Sequence, residues 1–197
     1  MSTADFDHLH PTGMNPCALE KSAYAEAVET WLCTGCGAPK PSVGAVDVQI
    51  QEERPADEPI TFVNGCGVVL ARRDFLRLLG TSRVEADLLL GKVSGPSGKV
   101  ISDWVTVRGR QRVIVRGSSN VSYRRCESCG RHVYFAMGAR YLFPAPAGSV
   151  SIYESDLYGL VVASSVLEGI SLSNWPNLGV ESLKVLPRPK DSLGELL

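Results

Sequence analysis

The chain has 197 residues, 44% hydrophobic and 21% charged, enough for one substantial domain with a real core. A formal net charge of −1 argues against a nucleic-acid binder that works through bulk positive charge, because neutralising phosphates needs a basic surface. No stretch approaches the roughly 18 apolar residues of a membrane span, and residues 1–16 have neither a basic start nor an apolar run, so no signal peptide or membrane partner is expected and the setting reads as reducing and cytoplasmic.

Residues 1–16 are polar and broken by Pro11 and Pro16; they read as a flexible N-terminus that includes His8 and His10. Residues 17–31 mix alanines with charged residues, contain no Gly or Pro, and predict a helix. The helix leads to Cys33-Thr34-Gly35-Cys36-Gly37, after which Pro39 and Pro41 stop regular structure. Residues 43–51 alternate as a strand, and 52–59 form a charged, proline-bearing loop. Short apolar runs at 60–63 and 68–70 flank Gly65-Cys66-Gly67. Residues 72–79 predict a helix stopped by Gly80. The apolar stretch 85–90 is then broken by 91–99, whose glycines and lysines lack the Gly-x4-Gly-Lys-Ser/Thr order of a phosphate loop.

Residues 100–115 predict one or two strands linked by Arg108-Gly109-Arg110-Gln111-Arg112. With Arg116, Arg124, Arg125 and Arg131 this is the basic region of the chain, either a patch for nucleic acid or an acidic partner, or a solvated strand edge. Cys126-Glu127-Ser128-Cys129-Gly130 follows, then a strand at 131–135. Further strands are expected at 150–153 and 180–186, an apolar run at 156–162, a helix at 164–170 and a turn at Asn174-Trp175-Pro176-Asn177, before a proline-rich tail.

The two Cys-x-x-Cys-Gly segments carry the chemistry. Two residues between thiolates let a tight turn aim both sulfurs at one point, and the following Gly tolerates positive φ. Together Cys33, Cys36, Cys126 and Cys129 supply four soft ligands, as tetrahedral Zn²⁺ requires at about 2.3 Å per sulfur. Such a site has no open position and is structural. His132, three residues past Cys129, is left out because four sulfurs complete the tetrahedron. Two disulfides are the first competing reading, and they need an oxidising compartment. A thioredoxin-type pair is the second, and it needs a strand-to-helix junction. Cys17 and Cys66 read as small buried hydrophobes.

The fold class expected is α+β: mixed small sheets and short helices in a single domain over 1–197. A split zinc-ribbon-like site joins its N-terminal part to residues 131–197, with 38–122 as an inserted αβ region between the knuckles.

Knuckles and tail together resemble the double-CXXCG motif immunity proteins of bacterial polymorphic-toxin systems. The matching parts are 33–37, 126–130 and the C-terminal pattern Ser155-Asp156-Leu157-Tyr158, Leu160-Val161-Val162-Ala163-Ser164, Leu178-Gly179-Val180-Glu181 and Leu183-Lys184-Val185-Leu186. The resemblance implies a small cytoplasmic protein that binds a cognate toxin domain and blocks it stoichiometrically, with no catalytic residues. The residues agree to the extent that they contain no Gly-x-Ser-x-Gly, no His-Glu-x-x-His and no dinucleotide fingerprint. Candidate contact surfaces are the acidic loop 52–58 and Glu154, Asp156 and Tyr158. The alternatives are a zinc-ribbon nucleic-acid-binding protein, on the strength of the arginines, and an enzyme that reverses a toxin's modification.

Overall fold

The computed structural model describes residues 5–13, 15–146, 148–157, 159–175 and 177–190. Tyr158, Pro176 and the last residues of the tail lie outside the described residues. The architecture is mixed α+β and mostly sheet, with three short helices among the described residues. In chain order the elements are β1 (Phe6–Pro11), α1 (Lys21–Thr30), β2 (Val48–Gln49), β3 (Ile60–Phe62), β4 (Val69–Arg72), α2 (Arg73–Leu78), α3 (Thr81–Asp87), β5 (Leu88–Ser94) and β6 (Val100–Gly109). There follow β7 (Arg112–Val113), β8 (Val115–Arg125), β9 (His132–Leu142), β10 (Ile152–Ser155), β11 (Leu160–Ala163) and β12 (Leu178–Val185).

Two sheets result. Five strands run in the order β2-β5-β6-β4-β3, and seven run β7-β10-β11-β1-β12-β9-β8. The segment expected to be a flexible N-terminus is therefore corrected: β1 lies inside the larger sheet, antiparallel to β11 on one side and β12 on the other. Its burial explains the order, with Phe6, Leu9 and His8 all nearly inaccessible. The inserted region also divides. Residues 48–109 build the five-stranded sheet, whereas β7 and β8 join the seven-stranded one.

Several expected elements shift. The first helix begins at Lys21, because residues 17–19 pair instead with Val63 and Ile50, and the Glu20 side chain caps it by accepting from the Ser22 N–H at 2.7 Å. Of the break expected at 91–99, the turn itself is confined to 95–99, and the first part, residues 91–94, lies inside β5. Gly91 is needed there for close approach: a Cβ on it would sit 2.1 Å from the Val46 carbonyl oxygen. Thr106 Oγ1 accepts from the Gly91 N–H (3.1 Å) and donates to that same carbonyl (2.5 Å). The helix expected at 164–170 reduces to a 3₁₀ turn at Ser164–Val166.

The first hydrophobic cluster draws on both sheets and both central helices, with Leu9, Ile60, Phe75, Val105, Ile152 and Leu160 fully buried. Phe75 packs edge-on against Trp175 with centroids 5.4 Å apart, and the Arg72 guanidinium lies 5.1 Å over the same indole. A second cluster around Trp104, Ile50 and Leu32 lies under α1, and a third around Phe6, Tyr153 and Val161 backs the larger sheet.

Asp87, the last residue of α3, ties helix to sheet. Its Oδ2 accepts from the Ser151 and Ile152 N–H groups at 2.8 and 3.0 Å. Asp87→Asn weakens both charge-assisted bonds in a buried setting, for an expected loss of about 1–3 kcal/mol read from denaturant melts. An unchanged midpoint contradicts this assignment.

Candidate metal centre

The first knuckle follows α1. Trp31 caps the helix by donating to the Ala27 carbonyl, and a bridge between Leu32 and Pro39 closes the loop around the cysteines. The second knuckle is the turn of the β8–β9 hairpin, where Arg125 pairs with His132.

The two turns share one backbone pattern. In the first, the Gly37 N–H donates to the Cys33 carbonyl at 2.7 Å, and the Cys33 N–H donates to Ala38 at 2.8 Å. In the second, Gly130 donates to Cys126 at 2.7 Å, and Cys126 donates to Arg131 at 2.9 Å. Gly37 and Gly130 have φ of 72° and 71°, a conformation that L side chains rarely adopt. A third turn follows the same scheme: Gly67 donates to Val63 at 3.0 Å and Val63 donates to Val68 at 2.8 Å, with Gly65 and Gly67 at positive φ. It carries a single cysteine, Cys66. The flanking glycines were its sequence signal.

All four predicted sulfurs come together. Cys33 Sγ lies 3.6 Å from Cys126 Sγ, and Cys36 Sγ lies 3.6 Å from Cys129 Sγ, each pair 93 positions apart in sequence. The four ligand atoms lie within 4.8 Å of one another, a set that can hold a metal ion and that joins the N-terminal and C-terminal parts. All the cysteines are free thiols rather than disulfides. The knuckles touch closely, since a Cβ on Gly35 would lie 2.9 Å from Cys126 Sγ and 2.8 Å from Ser128 Oγ. Cys17, Cys66 and His132 are outside this set. Burial pushes the Cys17 thiol up to about 12 and the Cys66 thiol up to about 11, so both stay protonated as core groups.

The donor set fits a soft ion. Burial pushes Cys36 up to about 12. Burial also raises Cys126, but the N–H groups of Cys129 and Ser128 and the thiols of Cys129 and Cys33 outweigh it and bring that sulfur down to about 7. That sulfur is thus the one most readily ionised near neutral pH, and a cation held by the four sulfurs would favour the thiolate form of the rest. Beside the site, a cleft of about 240 Å³ is lined by Pro41, Arg112, Cys129, Arg131, His132 and Asp156. Arg125 Nε spans the second knuckle, donating to the Gly130 carbonyl at 3.2 Å.

The other predicted surfaces behave differently. Glu154 is buried and the Asp156 side chain is 4% exposed, so neither is a contact surface. Within the acidic loop Glu58 is buried and Glu52 accepts from the Ala18 N–H, while Glu53 and Asp57 reach solvent. Of the arginines, Arg108 and Arg116 are buried. Among the described residues, no helix is long and apolar enough to cross a membrane. Comparison with protein-family models and with curated proteins returns no match for this chain.

Proposed function

We propose that this chain is a cytoplasmic immunity-type protein: its fold is clasped by one structural Zn²⁺ in a split zinc-ribbon site, and it neutralises a cognate toxin domain by covering that domain's working cleft. The observation that supports this reading is the convergence of the segments on which the family resemblance rests. The first knuckle meets the second, the second is the tip of a hairpin in the seven-stranded sheet, and the tail motif supplies β11, next to β10, and β12, next to β9, of that same sheet. Four sulfurs close the coordination sphere, so the metal holds shape and offers no position for substrate. The protein acts by surface, as a binder rather than an enzyme. Inhibitory interfaces of this kind bury roughly 1,200–2,000 Å² and use charge complementarity to speed encounter. Glu53 and Asp57 are the solvent-facing acids of the predicted contact loop and the first residues to vary there. Arg108 and Arg116 turn inward, so the alternative, a zinc-ribbon nucleic-acid binder, would rest on the exposed Arg110, Arg124 and Arg125.

The test is co-expression with the product of the adjacent gene. A stable one-to-one complex, with cells protected from that product, is the expected outcome. Unprotected cells and no complex reject the inhibitor reading. Nucleic acid co-purifying in a salt-sensitive manner moves the assignment to the alternative.

A further inference from the structure

We propose that His8, His10 and Glu181 form a second metal site, built for a first-row divalent transition ion such as Zn²⁺ and independent of the four-sulfur set. The sheet register creates it. His8 and His10 are two apart on β1 and so face the same side of the sheet. In the antiparallel ladder with β12, His8 pairs with Glu181 and His10 with Gly179. The imidazole centroids are 5.2 Å apart, and one ligand atom from each of the three residues lies within 4.8 Å of the others.

Two glycines make room for the rings. A Cβ on Gly179 would lie 2.3 Å from His10 Cε1, so the imidazole occupies the space a side chain on β12 would fill. A Cβ on Gly159 would lie 3.1 Å from His8 Nε2. The outer contacts orient the ligands as metal sites require. His10 Nδ1 is 3.1 Å from the Pro11 carbonyl oxygen; as an N–H donor there it leaves the lone pair on Nε2. Arg140 Nη1 donates to Glu181 Oε2 at 2.8 Å and fixes the carboxylate plane. Two imidazoles and a carboxylate match zinc and its neighbours, and three protein ligands leave a position for water or for a donor from another molecule. His8 is buried while His10 and Glu181 are partly exposed, so an ion enters from the His10 side.

The test uses the tag-free full chain as purified, titrated with Co²⁺. One equivalent bound with weak visible d–d absorption and no thiolate charge-transfer band is the expected result. His10→Ala removes that equivalent, and Glu181→Gln weakens it by at least about 10-fold. Both variants keep the wild-type melting transition in the absence of added metal, which separates lost ligation from lost folding. Absence of the d–d absorption in the wild type overturns the proposal. So does a signal that His10→Ala leaves unchanged, or one accompanied only by thiolate charge transfer, which reports exchange at the cysteines.

Discussion

Cys126→Ser is expected to lower the thermal midpoint by about 10–20 °C, and chelation of the wild type is expected to produce the same fall. The magnitude follows from the span the site closes. Cys33 and Cys126 are 93 positions apart, and a cross-link over a loop of about that length removes roughly 4–5 kcal/mol of chain entropy from the unfolded state. For a chain of this size each kcal/mol corresponds to about 2–4 °C. The direct binding energy makes this a conservative figure, since structural Zn²⁺ in small domains contributes about 10–16 kcal/mol against a typical total stability of about 5–15 kcal/mol. Serine cannot replace the sulfur, because its hydroxyl is a hard donor that stays protonated at neutral pH. The site tolerates little adjustment, with Gly35 packed against Cys126 Sγ and Ser128 Oγ. The measurement is a pair of melts with and without chelator. The wild type should fall to the level of the variant, and the variant should not respond. Cys66→Ser is the control, since Cys66 adopts a similar turn but lies outside the set and should retain the metal. A wild type indifferent to chelation would show that the fold does not depend on the metal.

The four-sulfur site was legible because each half of it is local. Cys-x-x-Cys-Gly declares its turn within five residues, and two halves of one chemistry invite pairing wherever the chain brings them. The rest of the larger sheet was not, because its determinants are distant. Phe6–Pro11 contains two histidines and a proline and looks polar by itself, yet β11 and β12, more than 150 positions away, supply the register that makes it a strand. The His8–Glu181 pairing is invisible for the same reason. β8 carries the exposed Ser118 and Ser119, and its register with β9 shifts twice, which breaks the period-two pattern of a regular strand. Gly91 looks like a breaker when the strand around it is not known, and becomes a packing requirement once Val46 crosses it. The acidic residues near 154–156 gave the opposite error. Charge is read as exposure by default, and only the arginines 42 and 46 positions earlier show that Glu154 is internal.

That internal charge carries the last prediction. Glu154 on β10 accepts from Arg108 Nε at 2.9 Å through Oε2 and from Arg112 Nη2 at 2.6 Å through Oε1. Arg108 belongs to β6 of the five-stranded sheet, so this carboxylate joins the two sheets. Its neighbour Asp156 is a weaker substitute. Burial holds the Asp156 carboxyl above its ordinary range despite Arg131 and Arg112, and its ion pairs with them are long, at 3.7 and 3.5 Å. Glu154→Gln keeps the shape and removes the charge. It leaves Arg108, whose side chain is 5% exposed, facing no anion. Breaking a buried pair from one side typically costs about 3–5 kcal/mol, because the remaining charge has been desolvated without compensation. The expected fall in thermal midpoint is about 6–20 °C. Removing both charges is a different experiment. Arg108→Met combined with Glu154→Gln takes the stranded cation out of the interior, and part of the lost stability returns, with Arg112 left to Asp156. A double variant no more stable than Glu154→Gln alone would mean that Arg112, not Arg108, is the partner whose loss matters. A single variant melting with the wild type would mean that the sheets are held together by the hydrophobic cluster and not by this pair.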